Sequence, residues 1–69
     1  MSDEIRHKKP IAVNLQLTHS ESWALAQLVK RLGFSDCRRL ATSDTEAYLM
    51  MDGIDQLMKA LAEEGYSPR

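Results

Sequence analysis

The stretch from Thr18 to Leu32, Thr-His-Ser-Glu-Ser-Trp-Ala-Leu-Ala-Gln-Leu-Val-Lys-Arg-Leu, specifies a helix at both ends and so constrains everything around it. Thr18 and Glu21 have the S/T-x-x-E spacing of a capping box, in which the Glu21 amide donates to the threonine hydroxyl and the glutamate carboxylate accepts from the Thr18 amide. The helix is predicted to start there. At the other end, Gly33 is suited to the left-handed conformation that closes a helix, which would set Phe34 against Val29. Lys30 and Arg31 match the negative end of the helix dipole. At about 100° per residue, Leu25, Leu28, Val29 and Leu32 share one stripe, the face expected to meet the core. Trp23 lies nearly opposite, beside Gln27 and Lys30. A tryptophan off the core stripe either caps a second layer of contacts within the chain or belongs to an interface with another.

Upstream, Pro10 opens Ile11-Ala-Val-Asn-Leu-Gln-Leu17. Ile11, Val13, Leu15 and Leu17 alternate with Ala12, Asn14 and Gln16, the period of a half-buried strand. Proline is tolerated at a strand's start. No second strand is found downstream, and one strand alone cannot satisfy its backbone donors and acceptors. Pairing with the same strand of a second copy about a twofold axis resolves this, so a homodimer is expected. Residues 1–9 are polar and mixed in charge and read as a mobile N-terminal arm; residues 10–69 read as a single small domain.

Downstream of Gly33, Phe34 to Ala41 reads as a short helical turn capped by Ser35 or Asp36, with Leu40 and Ala41 returning to the core and Arg38 and Arg39 outside. Thr42-Ser-Asp-Thr45 breaks it, and Ser43 with Glu46 has the spacing of a second capping box. From about Asp44 to Glu64, Ala47, Met50, Met51, Ile54, Leu57, Met58 and Leu61 keep helical spacing, making this helix the main wall of the core. Gly65 ends it, and Tyr66 is placed to contact Leu61. Gly53, Leu49 and Ala60 mark a second, smooth face that is a candidate cover for Trp23. Glu63 and Glu64 meet the negative end of the helix dipole. Either Arg69, Arg38 or Arg39 neutralises them, or they serve a partner. The expected fold class is mainly α (α+β): one N-terminal strand, then two main helices with a short helical turn between them, the strand paired in a homodimer. Its expected core is Leu25, Leu28, Val29, Leu32, Ile54, Leu57, Met58 and Leu61.

Length narrows the functional classes. With 69 residues and one cysteine the chain makes a small domain without an internal disulfide, which leaves oligomerisation as the means of adding buried surface. No apolar run is long enough for a membrane span and the N-terminus lacks a signal peptide's apolar core, so a cytoplasmic protein is expected. The net charge of −1 conceals an uneven distribution. Residues 1–43 hold seven basic and four acidic side chains, whereas residues 44–64 hold one basic and six acidic, and Arg69 supplies the last charge. His7, His19 and Cys37 lack zinc-site spacing, so no metal is expected. Cys37, without a histidine nearby in sequence, reads as a small packing residue rather than a nucleophile. Gly33, Gly53 and Gly65 form no phosphate loop, and the four methionines read as core filler. The chain is therefore expected to be neither an enzyme nor the carrier of a cofactor.

Two resemblances add to this. A strand with Asn14 and Gln16 outward, then a capped helix and the turn Gly33-Phe34-Ser35, resembles the first half of a ribbon-helix-helix repressor over residues 9–40. That family's paired strands read the major groove, which implies DNA contacts here from Asn14 and Gln16, joined by the basic residues Lys8, Lys9, Arg38 and Arg39. Thr42 to Thr45 interrupts where the family's second helix continues, and the acidic helix that follows repels a phosphate backbone. Across most of the chain, Leu17-Thr18-x-x-Glu21-x-Trp23-Ala24-Leu25-Ala26-Gln27, Lys30-Arg31-x-Gly33-Phe34, Glu46-Ala47-Tyr48-x-Met50 and Ala60-Leu61-Ala62-Glu63-x-Gly65-Tyr66-x-Pro68-Arg69 is similar to short proteobacterial proteins of unknown function, of phage or mobile-element type. This similarity implies an accessory role and no activity. The expected function is a dimeric, non-enzymatic interaction protein. It would bind a basic protein through Trp23, Gln27 and Lys30 and the acidic helix face of Asp52, Asp55, Gln56 and Glu63. The alternative is a dimeric DNA-binding regulator of ribbon-helix-helix type.

Overall fold

The computed structural model describes residues 10–68. It contains three helices, α1 (His19–Arg31), α2 (Phe34–Leu40) and α3 (Asp44–Glu63), preceded by residues 10–18 without regular secondary structure. No strand occurs among the described residues, so the expected α+β fold with an N-terminal strand gives way to an all-helical one. The alternating pattern fails for a physical reason: no other segment among the described residues offers the 10–17 backbone a ladder, and a strand without one is not stable. None of its apolar positions is buried either, Ile11 being 85% exposed, Val13 76%, Leu15 57% and Leu17 38%. The strand ladder that was to hold a homodimer together is thus missing. The expected mobile arm, with Lys8 and Lys9, and the terminal Arg69 lie outside the described residues.

The start of α1 is as the sequence predicts. The Glu21 amide donates to the Thr18 hydroxyl at 3.0 Å and the Thr18 amide donates to the Glu21 carboxylate at 2.9 Å. Its end is different. Gly33 has φ −119° and ψ 179°, extended backbone, and serves as the N-cap of α2. Its amide donates to the Asp36 carboxylate at 2.9 Å, so it is engaged with the following helix instead of closing the preceding one. Phe34 stacks on Tyr48 of α3 with ring centroids 4.8 Å apart.

The inner face of α1 is rotated away from the leucine stripe. Ser22, Ala26 and Val29 are buried, whereas Leu28, expected in the core, is 52% exposed. Small side chains let α3 approach closely, and Ser22 is tolerated there because its hydroxyl donates to the Thr18 carbonyl at 2.9 Å. Val29 and Ala26 meet Leu61 of α3, with Leu25, Ile54, Leu57, Met58 and Tyr66 packed around them. On the other side α2 buries Cys37, whose thiol donates to the Met51 sulfur at 3.5 Å. Leu40, expected to return to the core, is 67% exposed.

Both shorter helices pack on α3, which is the common wall of the fold. Ser43 caps it by accepting from the Glu46 amide at 3.1 Å. The Glu46 carboxylate does not close the reciprocal half of the expected box; it accepts from the amide and hydroxyl of Thr42, at 2.7 and 3.1 Å. Gly65, with φ 97°, closes α3 in a Schellman motif: its amide donates to Ala62 at 3.0 Å and that of Tyr66 to Leu61 at 2.9 Å. The described chain measures 37 × 27 × 16 Å, and its thinnest dimension is less than twice a helix diameter of about 10–12 Å. One side of α3 is consequently left without a covering helix.

Candidate protein-binding surface

The Gly65 turn determines the candidate site, because it sends Tyr66 back toward α1. The Tyr66 hydroxyl and His19 Nδ1 are hydrogen-bonded at 2.9 Å, and the two rings stand edge-on with centroids 5.5 Å apart. Trp23, one turn further along α1, meets Tyr66 in a T-shaped pair at 5.1 Å and 74°. Edge-to-face geometry of this kind sets the ring's positive rim against a neighbour's negative face. Trp23 remains 37% exposed, held on one side and open on the other. The smooth face of Leu49, Gly53 and Ala60, expected as a cover for Trp23, is exposed at all three positions, and a Cβ at Gly53 would have no neighbour within 4 Å. Gln27 is half-buried and Lys30 exposed, continuing the Trp23 strip toward the end of α1.

Tyr66 also closes one end of an open groove of about 980 Å³. The groove's floor is the uncovered face of α3, with Gly53, Gln56, Leu57, Ala60 and Leu61, and its wall is Ile11, Val13, Leu15 and Leu17. Glu63 and Glu64 stand at the Tyr66 end, and no lysine or arginine is among the lining residues. Their carboxylates add to the negative end of the α3 dipole, so the mouth beside Tyr66 favours a cation. Of the expected acidic face, Gln56 and Glu63 lie on the groove, while Asp52 and Asp55 are exposed on α3 outside its lining.

Set against known proteins, residues 1–69 match the model of DUF7706, a family of unknown function. The chain belongs to that family. No curated protein and no solved structure matches it. Family membership agrees with the similarity to proteins of unknown function seen across most of the chain and attaches no activity to it.

In this DUF7706 chain the residues of the DNA-binding alternative are scattered and partly engaged. Asn14 faces the groove and Gln16 is exposed on the same irregular segment. Arg38 pairs with Asp44 at 2.5 Å and donates to the Ala41 carbonyl at 3.2 Å, and Arg39 pairs with Asp36 at 3.5 Å. Both arginines therefore serve the α2–α3 corner, not Glu63 and Glu64. No group of three His, Cys, Asp or Glu side chains among the described residues is placed to hold a metal, and none of their helices is long and apolar enough to cross a membrane. The Glu46 carboxyl is held below the ordinary glutamate range, first by the Thr42 amide and then by its hydroxyl. That makes Glu46 an anchor for the start of α3.

Sequence reasoning missed His19 and Tyr66 as parts of the site. They are 47 positions apart, and only the Gly65-Tyr66 closing motif hinted that the chain turns back there.

Proposed function

We propose that the chain is a non-enzymatic interaction module that binds a basic protein segment at the aromatic patch of His19, Trp23 and Tyr66. The observation that carries this is Trp23 itself: a large ring over a third exposed, yet fixed along one edge by a tyrosine that is held by its own hydroxyl and by the Gly65 turn. Immobilised tryptophan and tyrosine are the residues on which protein interfaces concentrate binding energy, because little side-chain freedom remains to be lost. A lysine or arginine laid over the open face of Trp23 gains a cation–π contact. Glu63 and Glu64 beside Tyr66, with Asp52 and Asp55 further along α3, supply the matching negative field, and Gln27 and Lys30 form the polar rim. The accessory role in a mobile element rests on the similarity of sequence pattern alone.

The test is a photo-crosslinking residue at Gln27, introduced in the native host. A discrete adduct with one basic protein, lost in Trp23→Ala while the helical circular dichroism is retained, is the expected result. Diffuse labelling, or a Trp23→Ala chain that unfolds, overturns it. The DNA-binding alternative has no ribbon to rest on among the described residues; retention of duplex DNA that falls steeply with salt would replace our reading with it.

A further inference from the structure

The groove between residues 11–17 and α3 shares Tyr66, Glu63 and Glu64 with the Trp23 patch, and it presents both halves of a contact. Its wall is a row of exposed aliphatic side chains, and its floor is a helix face smoothed by Gly53 and Ala60. We infer that the occupant is a second copy of this chain, the apolar row of each copy packing on the α3 floor of the other about a twofold axis. An isologous interface requires one surface to carry a feature and its complement, which this surface does. The contact is one of side chains on a helix face, with no ladder between the two 11–17 segments.

The size of the surface supports a dimer. Four aliphatic side chains, Ile11, Val13, Leu15 and Leu17, are exposed along this side, on the order of 400 Å² of apolar area at the exposures observed. An interface about 60% apolar would then cover roughly 700 Å² on each copy. Specific complexes bury about 600–1,000 Å² per partner, so a second copy laid along the groove falls in the lower half of that range. The need is also present, since among the described residues only Ala26, Val29, Cys37, Ala47 and Leu61 are buried apolar ones. Chains this small commonly complete their burial by association.

Sedimentation equilibrium on the full chain from micromolar to millimolar concentration tests this, with Val13→Asp altering the row, Ala60→Arg altering the floor and Leu40→Asp as an exposed control away from the groove. The expected result is a wild-type monomer–dimer equilibrium. Its dissociation constant should rise at least about tenfold in each of the first two variants and stay unchanged in the third. Helical circular dichroism should be intact in all, because none of the three positions is buried. A monomer throughout the range overturns the inference. So does a dimer that survives both groove substitutions or is lost in Leu40→Asp. The Trp23 crosslinking result is independent of these outcomes.

Discussion

Tyr66 shows how one side chain comes to join three parts of the molecule. It packs on the Leu61 cluster, donates or accepts at His19, and props Trp23, all because Gly65 turns the backbone. Removing only the hydroxyl, in Tyr66→Phe, should cost about 0.5–1 kcal/mol by chemical denaturation, since the bond to His19 lies at the surface and water replaces it. Tyr66→Ala should cost about 2–3 kcal/mol and shift Trp23 fluorescence to the red, because the ring's packing is lost with it. Equal losses in the two variants would mean that the ring itself holds nothing. At this scale the sequence was legible where a residue acts on near neighbours. Cys37 as a packing residue and Tyr66 against Leu61 both follow from local spacing. The stack on Trp23 does not, because it depends on how α1 and α3 cross.

The helices display the same division between local and distant causes. The Thr18–Glu21 box was readable because its partners are three residues apart, while Gly33 and Gly65 look alike in sequence and behave oppositely. Gly65 adopts φ 97° and is followed by Tyr66, whose amide donates back to Leu61, whereas Gly33 is followed three residues later by Asp36, whose carboxylate takes its amide for a new helix. Gly65→Ala should therefore cost about 1 kcal/mol through the left-handed backbone. Gly33→Ala should be nearly neutral, as its Cβ would sit 3.8 Å from the Asp36 carboxylate in ordinary contact. The order of the two melting temperatures checks this. The rotated inner face of α1 was not legible: four leucine and valine positions outvote Ser22 and Ala26 in any hydrophobicity count, yet close helix approach selects the small ones. For α3, Glu46 predicts the acid limb. Its carboxyl lies below the ordinary glutamate range because Thr42 donates to its charged form, so the stabilisation is present above that range and lost as pH falls through the lowered value. Carboxyl-carbon NMR should place its midpoint below the ordinary glutamate range, and Glu46→Gln should remove this part of the acid destabilisation.

On the scale of the whole molecule, what the sequence conveyed was insufficiency. A chain of 69 residues with one cysteine has few ways to bury enough surface, and among the described residues only five apolar ones are buried. The alternating row at residues 11–17 predicts a strand because alternation is the usual mark of one; in the structure it leaves one apolar row beside α3 without a ladder among the described residues. If a second copy covers that row, stability becomes a matter of mass action and the melting temperature depends on concentration. A hundredfold increase in protein is worth about 2.7 kcal/mol per dimer, or roughly half that per chain. For a domain of this size such a gain corresponds to a rise of about 5–10 °C in melting temperature. Scanning calorimetry at the two concentrations should show that rise in the wild-type chain and none in Val13→Asp. An equal melting temperature at both concentrations would mean that the three helices alone supply the stability, with the groove left open to solvent.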